Sequence, residues 1–278
     1  MARIGLALGG GAGLGWAHIG VVRALEAEGV ECDIVTGTSI GSIVGACIAG
    51  DMLDELEDIA REITLKEMIS LGEFGFQKGG LIGAGKIERR LREHFGARVI
   101  EQLQKPFAAV AADLYSGERV VLDAGDVVTA LRASSAIPGV LPPIRTNNLY
   151  LVDGGIVDPV PVEAARDLGA DIIIAVDLQS DYMGRARRLG FDPVLEKPSL
   201  AAIKSARAGW SLALQALSKA RMVADAPDIV IAPSIGHIDM ADFTKAEELI
   251  TLGHHATLEV MPEILALCLP SRNIVSAQ

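Results

Sequence analysis

Gly37-Thr38-Ser39-Ile40-Gly41 is the stretch that decides the fold. The stretch before it, Asp33-Ile34-Val35-Thr36, predicts a strand, and residues 40–49 predict a buried helix of small side chains. A serine on such a sharp strand-to-helix turn needs glycines on either side, because side chains there would clash. The helix N-terminus also favours developing negative charge beside the hydroxyl. The motif therefore predicts an α/β fold with a nucleophilic Ser39.

Upstream of this turn, residues 4–8 are apolar and lead into Gly9-Gly10-Gly11-Ala12-Gly13-Leu14-Gly15. Helix-spaced apolar residues follow over residues 16–28 and end at Gly29, a typical helix stop. Residues 4–22 are almost uncharged and could resemble a signal or membrane-spanning segment. Each glycine, however, weakens a helix by about 1 kcal/mol relative to alanine. The sequence therefore predicts strand, glycine loop and helix, with no targeting segment.

The glycine loop could hold either a phosphate or an oxyanion, because glycine lets backbone N–H groups approach a ligand closely. Trp16 stands where the dinucleotide pattern G-x-G-x-x-G needs a glycine, and no Gly-Lys-Ser/Thr follows for a P-loop. A dinucleotide site also requires an acidic residue roughly 20 residues further on. Ser39 stands near that point instead. These mismatches favour an oxyanion hole.

The rest of the chain continues the alternation of strands and helices, which is typical of an α/β fold with a mostly parallel sheet. The predicted strands are residues 106–112, 119–122, 149–152, 171–176 and 228–231. The predicted helices are residues 51–63, 86–95, 127–133, 161–168, 200–223 and 242–267. We expect the glycine-rich residues 72–85 to be a connector rather than a rim over a site, and residues 180–198 to be a loop or disordered. One domain is favoured over two.

Composition limits the function classes. Of the 278 residues 50% are hydrophobic, which allows a sizeable core. The formal net charge of -11 disfavours nucleic acid as a partner and gives no general attraction to anionic lipid. We expect the basic residues between 185 and 207 to be solvated, with a membrane contact as the alternative. Cys32, Cys47 and Cys268 are widely spaced and odd in number, which indicates a reducing, cytoplasmic location without zinc or disulfides.

Asp153-Gly154-Gly155 ends the predicted strand at residues 149–152. Most serine hydrolases use a histidine as the base. The histidines of this chain are His18, His94, His237, His254 and His255. None lies in a glycine-bounded loop at a strand end, and His18 is expected to be structural. A carboxylate can replace histidine when burial raises its pKa. Asp153 is therefore the predicted base, with a plain turn aspartate as the alternative.

In this combination and order the motifs resemble the bacterial patatin-like phospholipase family, in its short single-domain form. The matching segments are Trp16-Ala-His-Ile-Gly-Val-Val22, Gly37-Thr-Ser-Ile-Gly41, Ser134-Ser-Ala-Ile-Pro138, Leu151-Val-Asp-Gly-Gly155 and Asp158-Pro-Val-Pro161. The likeness spans roughly residues 4–175, and residues 228–231 and 242–250 are also similar to the C-terminal region of such members. Together these segments are specific, although each alone is common.

The resemblance implies a three-layer α/β/α fold, with a catalytic core at residues 4–175 and a C-terminal helical extension, residues 176–278, packed on the same domain. It implies a lipid acyl hydrolase or esterase that works through an acyl-enzyme intermediate. Ser39 would be the nucleophile and Asp153 the base, and the amides of Gly10, Gly11 and Ala12 would hold the oxyanion. No metal or cofactor is implied. The substrate would be a lipid or another acyl ester, and a peripheral membrane contact and the oligomeric state stay open.

The sequence departs from the family pattern at one position, and two alternative interpretations of its function stay open. Leu14 stands where the family usually has a basic residue that supports the loop, which predicts lower activity or a shifted substrate. A triad of Ser39, Asp177 and His237 would follow the chain order of α/β-hydrolases. The other rival is a weak or inactive member that binds lipid or a protein partner in a regulatory role.

Overall fold

The structure, a computed structural model, describes residues 2–64, 74–77, 80–82, 84–194 and 202–268. Its strands are β1 Ile4–Leu8, β2 Ile34–Thr38, β3 Phe74–Gln77, β4 Gly80–Ile82, β5 Phe107–Asp113, β6 Arg119–Leu122, β7 Ile144–Thr146, β8 Leu149–Asp153, β9 Ile172–Val176 and β10 Ile229–Ile231. Its α-helices are α1 Ala17–Ala27, α2 Ile40–Ala49, α3 Leu53–Glu62, α4 Ala84–Phe95, α5 Val127–Ser134, α6 Val162–Asp167, α7 Tyr182–Leu189, α8 Ala202–Ala224 and α9 Ala246–Cys268. Short 3-10 segments lie at Ala12–Trp16, Ile100–Gln102 and Gly154–Ile156.

The centre of the molecule is a mostly parallel sheet. Strands β10, β9, β1, β2 and β5 lie side by side in that order and run parallel. Strands β6 and β8 pair antiparallel with β5, and β7 pairs antiparallel with β8. Every residue of β1, β2 and β5 is buried, as expected for strands whose two faces are both covered.

The two faces of the sheet belong to separate hydrophobic clusters. In β1, Leu6 and Leu8 point into the larger cluster with side chains of α1, α2 and α9, whereas Ala7 points into a smaller cluster with side chains of α6. The alternation follows from the two-residue period of a strand. Helices on both faces of a mostly parallel sheet make this a three-layer α/β/α fold, and the predicted fold class is confirmed.

Strands β2 and β8 meet end to end along one edge of β5. Thr38, the last residue of β2, pairs with Val110, and Asp153, the last residue of β8, pairs with the next residue, Ala111. Strand β6 pairs with both Val110 and Ala111 on the opposite edge. Because β2 and β8 run towards each other, the chain segments that leave their ends must lie close together.

Two of the predicted connections contain secondary structure. Within residues 180–198, expected to be a loop or disordered, α7 covers Tyr182–Leu189, and Asp181 caps it by accepting from the Gly184 amide. Residues 195–198 of that stretch lie outside the described residues. Within residues 72–85, expected to be a connector, β3 pairs antiparallel with β4. Residues 72, 73, 78, 79 and 83 are likewise outside the described residues.

The C-terminal part of the chain joins the same sheet. The predicted boundary between residues 175 and 176 falls inside β9, and β10 continues the sheet beyond it. Helix α9 packs against α1. No helix among the described residues is both long enough and apolar enough to cross a bilayer.

Candidate active site

The turn at Ser39 has the strained backbone that the sequence motif predicts. Ser39 has φ 56° and ψ -124°, a combination rare for a residue with a side chain. A Cβ on Gly37 would collide with the carbonyl of Gly41, and one on Gly41 would collide with the carbonyl of Leu8. Both glycines are therefore needed for close backbone approach, and the turn places Ser39 immediately before α2.

The meeting of β2 and β8 brings the two predicted catalytic side chains together. Ser39 Oγ donates a hydrogen bond to Asp153 Oδ2 at 2.5 Å, although the residues are 114 positions apart in the sequence. The other carboxylate oxygen, Oδ1, accepts from the Gly155 amide at 2.8 Å. Both carboxylate oxygens of Asp153 thus have a fixed partner, and one of them faces the Ser39 hydroxyl.

Burial changes the acidity of this carboxyl group. Asp153 is only 7% exposed, and Ser39 is 6% exposed. Loss of solvation raises the pKa of Asp153 from 3.8 to about 6, against the opposing hydrogen bonds from Ser39 and Gly155. A carboxylate of this basicity is ionised at neutral pH and is a better proton acceptor than a solvated aspartate.

Ser134 has a role at this site that the sequence motif did not assign. Its Oγ accepts from the Ser39 amide at 2.9 Å and donates to the Val110 carbonyl at 2.6 Å. Val110 is the β5 residue opposite the end of β2. A fully buried hydroxyl therefore ties the backbone of Ser39 to the sheet. The segment Ser134-Ser-Ala-Ile-Pro138 contributes to the family resemblance, but only the structure shows this bond.

The glycine loop is held by hydrogen bonds at successive backbone groups. The Gly9 amide donates to Val176 O at 3.0 Å, and the Gly10 amide donates to Pro159 O at 3.0 Å. The expectation that Gly10 offers a free amide is therefore corrected, because its N–H is already bonded. The amides of Gly11 and Ala12 have no hydrogen-bond partner among the described residues.

The glycine loop lies beside Ser39. A Cβ on Gly10 would stand 3.4 Å from Ser39 Cβ, so nothing separates the two backbones. Leu14, which replaces the basic residue of the family pattern, is fully buried in the larger hydrophobic cluster. Its effect on activity stays a prediction.

The histidines do not complete a triad in the part of the chain that the structure describes. His237 lies on the surface, and its Nε2 is 3.0 Å from Glu248 Oε1. Asp177 is buried, and its Oδ1 accepts from the Gln179 amide. The rival assembly of Ser39, Asp177 and His237 is therefore not formed, since Ser39 donates to Asp153 instead.

His18 is a structural residue, as expected. Its Nε2 is 2.8 Å from the Gly9 carbonyl, and the side chain is fully buried. Burial lowers the pKa of His18 to about 4, so the ring is neutral at pH 7 and donates to that carbonyl. It thereby holds one more group of the glycine loop.

The basic residues near position 185 are only partly solvated. Arg185 is 1% exposed, which corrects the expectation that this cluster is surface charge. Arg188 and Arg207 both pair with Asp239.

All three cysteines are free, and no cluster of three or more His, Cys, Asp or Glu side chains among the described residues could hold a metal ion.

Comparison with known proteins agrees with these motifs. The family model described as patatin-like phospholipase matches residues 6–166. An uncharacterized NTE family protein of Mycobacterium tuberculosis is 40% identical over 185 residues, which are 66% of this chain and 51% of the relative. A second such protein of that organism is 28% identical over 282 residues, 94% of this chain and 47% of the relative. The chain thus spans about half the length of these curated relatives.

Two further proteins are similar over most of the chain. Lysophospholipase NTE1 of Pyricularia oryzae is 28% identical over 94% of this chain, which corresponds to 18% of that protein. Among solved structures, VipD from Legionella pneumophila aligns with 94% of this chain and 67% of its own, at 14% identity and a TM-score of 0.49. Since the family model covers more than half of the chain, and includes both Ser39 and Asp153, this chain belongs to the patatin-like phospholipase family.

Proposed function

We propose that the chain is a lipid acyl hydrolase that cleaves carboxylic esters through a dyad of Ser39 and Asp153. The observation that carries the proposal is the 2.5 Å hydrogen bond from Ser39 Oγ to a buried carboxylate with a pKa of about 6. A hydroxyl paired with such a base is an activated nucleophile. Family membership supports lipid hydrolysis in general.

In the first step, Asp153 accepts the proton of Ser39 Oγ as that oxygen bonds to the ester carbonyl carbon. The amides of Gly11 and Ala12 stabilise the oxyanion, since they are the loop donors without a partner among the described residues. Removing one such donor typically costs about 10²- to 10³-fold in kcat. The carbon–oxygen bond to the alcohol then breaks, and the alcohol leaves with the proton from Asp153.

In the second step, Asp153 accepts a proton from water as that water attacks the acyl-enzyme. Collapse of the tetrahedral intermediate releases the fatty acid, and Ser39 Oγ regains its proton. Lysophospholipids are the first substrates to test, because a relative covering 94% of this chain carries the name lysophospholipase. Simple esters, phospholipids and neutral glycerides complete the substrate series.

The test compares wild type with Ser39→Ala and Asp153→Asn. We expect wild type to hydrolyse a medium-chain p-nitrophenyl ester and to be labelled at Ser39 by a fluorophosphonate probe. Both variants should lose turnover, because each removes one half of the dyad. Retention of nearly full activity by Asp153→Asn would exclude the dyad. A wild-type protein that is neither labelled nor active would instead favour a binding or regulatory role.

A further inference from the structure

We propose that Gln179 and Arg185 form a positioning pair that aims the Gly11 amide at the oxyanion. The inference rests on the proposed function and assigns to two residues outside the family-model match a part in the same reaction. Gln179 Nε2 donates to the Gly10 carbonyl at 2.8 Å. Arg185 Nη1 donates to Gln179 Oε1 at 2.8 Å, and Nη2 donates to the Leu178 carbonyl at 3.1 Å.

The chemistry of the pair fixes the orientation of the Gln179 amide. A guanidinium has donors only, so Gln179 must turn its oxygen towards Arg185 and its NH₂ group towards Gly10. Gln179 is 3% exposed and Arg185 is 1% exposed, so water does not compete for these bonds. No described carboxylate lies within ion-pair distance of Arg185, although the nearby charges of Asp181, Asp177 and Asp239 favour its protonated form. The direct acceptors of its two terminal nitrogens are the neutral oxygens of Gln179 and Leu178.

Because the peptide bond is planar, the contact between Gln179 and the Gly10 carbonyl also orients the N–H of Gly11. The Gly10 carbonyl and the Gly11 N–H belong to one planar trans peptide and point in opposite directions. Holding the carbonyl on Gln179 therefore turns the Gly11 N–H away from Gln179. The peptide before it is fixed as well, because the Gly9 carbonyl is bonded to His18 and the Gly10 amide to Pro159. Gly11 is the first residue after these fixed groups whose N–H has no hydrogen-bond partner in the described part of the chain.

The same contact also strengthens the donor. Hydrogen bonds in a chain polarise one another, and the effect is largest where the dielectric constant is low. The positive guanidinium polarises the Gln179 amide, which in turn polarises the Gly10–Gly11 peptide. The Gly11 N–H becomes a better donor to a developing oxyanion without direct contact between Arg185 and substrate. Gln179 and Arg185 are thus positioning residues.

The decisive variant is Gln179→Glu. A glutamate keeps an acceptor for Arg185, whose charge holds the new carboxylate ionised, but it has no N–H to offer the Gly10 carbonyl. We expect kcat per active site to fall about 10- to 100-fold, less than the loss of an oxyanion donor outright, with KM within about threefold of wild type. The melting temperature should stay near that of wild type, since the contact with Arg185 is retained.

Arg185→Met and Arg185→Lys provide the second comparison. With methionine the Gln179 oxygen loses its donor and kcat should fall, whereas lysine restores a cation and should recover part of that loss. Arg187→Met is the matched control, because Arg187 lies on the same helix as Arg185 but is exposed and, among the described residues, pairs only with Asp192. It should leave both the melting temperature and kcat per active site close to those of wild type.

The measurements are kcat and KM for a p-nitrophenyl ester, the active fraction from fluorophosphonate labelling carried to completion, and the melting temperature. A Gln179→Glu enzyme within threefold of wild type in kcat per labelled site would overturn the positioning role alone. A loss of rate that matches a loss of labelled protein would overturn it too, since that is unfolding. A wild type without labelling or turnover would overturn the pair together with the proposed function.

Discussion

The backbone of Ser39 is conformationally strained. Its φ of 56° costs a residue with a Cβ about 1–2 kcal/mol, and glycine far less. We predict that Ser39→Gly is more stable than Ser39→Ala by about 1 kcal/mol, although both lack the hydroxyl. Urea denaturation of the two inactive variants measures the difference. Equal stability would mean that the turn relaxes and holds no strain.

Asp153 should make the stability of the protein depend on pH in a defined direction. Its pKa is raised from 3.8 to about 6 on folding, so the folded state binds its proton more tightly than the unfolded chain. The stabilising contribution is therefore complete below about pH 4 and is lost as the pH rises through 6. Asp153→Asn should raise the free energy of unfolding by about 2–3 kcal/mol at pH 8, and by less than about 1 kcal/mol at pH 4.

Denaturation of wild type and Asp153→Asn at both pH values tests this expectation. The asparagine oxygen can still accept from the Gly155 amide, so the local hydrogen bond is kept. If Asp153→Asn raised the free energy of unfolding equally at pH 4 and pH 8, ionisation of the Asp153 carboxyl group would not be the cause.

In the proposed mechanism the same pKa determines how activity depends on pH in the acid range. Asp153 must be ionised to accept the Ser39 proton, and its pKa is about 6. We predict that kcat/KM is constant above about pH 6. Below that pH it should fall about tenfold per pH unit, because one proton inactivates the base. The profile is measured with a neutral ester, together with circular dichroism to show that the fold persists. If kcat/KM began to fall only near pH 4, the carboxylate that accepts the proton would be a solvated one.

At the scale of elements, the site depends on the junction where β2 and β8 meet on β5. Ser134 on α5 joins this junction to the turn by bonding both the Ser39 amide and the Val110 carbonyl. Ser134→Ala should leave the buried Ser39 amide without its hydrogen-bond acceptor and cost about 1–3 kcal/mol. It should also lower kcat, because the turn loses its anchor.

Ser135→Ala is the matched control for this prediction. Ser135 directly follows α5, and its Oγ donates to the Leu131 carbonyl, which also accepts from the Ser135 amide. Removing the hydroxyl should therefore change stability by less than about 0.5 kcal/mol. The melting temperatures and ester hydrolysis rates of Ser134→Ala and Ser135→Ala test this prediction. Equal behaviour would argue against an anchor at Ser134.

Most elements of the fold could be predicted from the sequence, because buried parallel strands are apolar runs and the helices have a clear period. Helix α7 was missed for a physical reason. Only Arg185 and Leu189 are buried among its residues, so the hydrophobic pattern that marks a helix is absent. Its start depends on the cap from Asp181, and a single aspartate is too common to signal a helix.

At the scale of the whole molecule, the C-terminal part of the chain supports the glycine loop. The Gly13 amide donates to Met240 O, and Trp16 Nε1 donates to Phe243 O. Helices α1 and α9 cross so closely that a Cβ on Gly253 would collide with the Ala17 carbonyl. Gln179 adds a third contact from this part of the chain.

This crossing predicts opposite effects for two glycine substitutions. Gly253→Ala should destabilise the protein by at least about 2 kcal/mol, because the helices must move apart. Gly209→Ala in α8 should stabilise it by about 0.5–1 kcal/mol, since nothing lies within 4 Å of the added Cβ and alanine favours a helix. Melting temperatures compare the two variants. Similar shifts for both would contradict a close contact between α1 and α9.

The sequence by itself determined the α/β class, the strained turn at Ser39 and the choice of Asp153 as its partner. These features are local, since they depend on apolar periods and on glycines within a few residues. Only the tertiary structure decided which amides of the glycine loop are free and what holds the loop. Gln179 reaches Gly10 across 169 residues, and Ser134 reaches Ser39 across 95. Such bonds depend on where distant segments meet in the sheet, and no local pattern encodes that meeting.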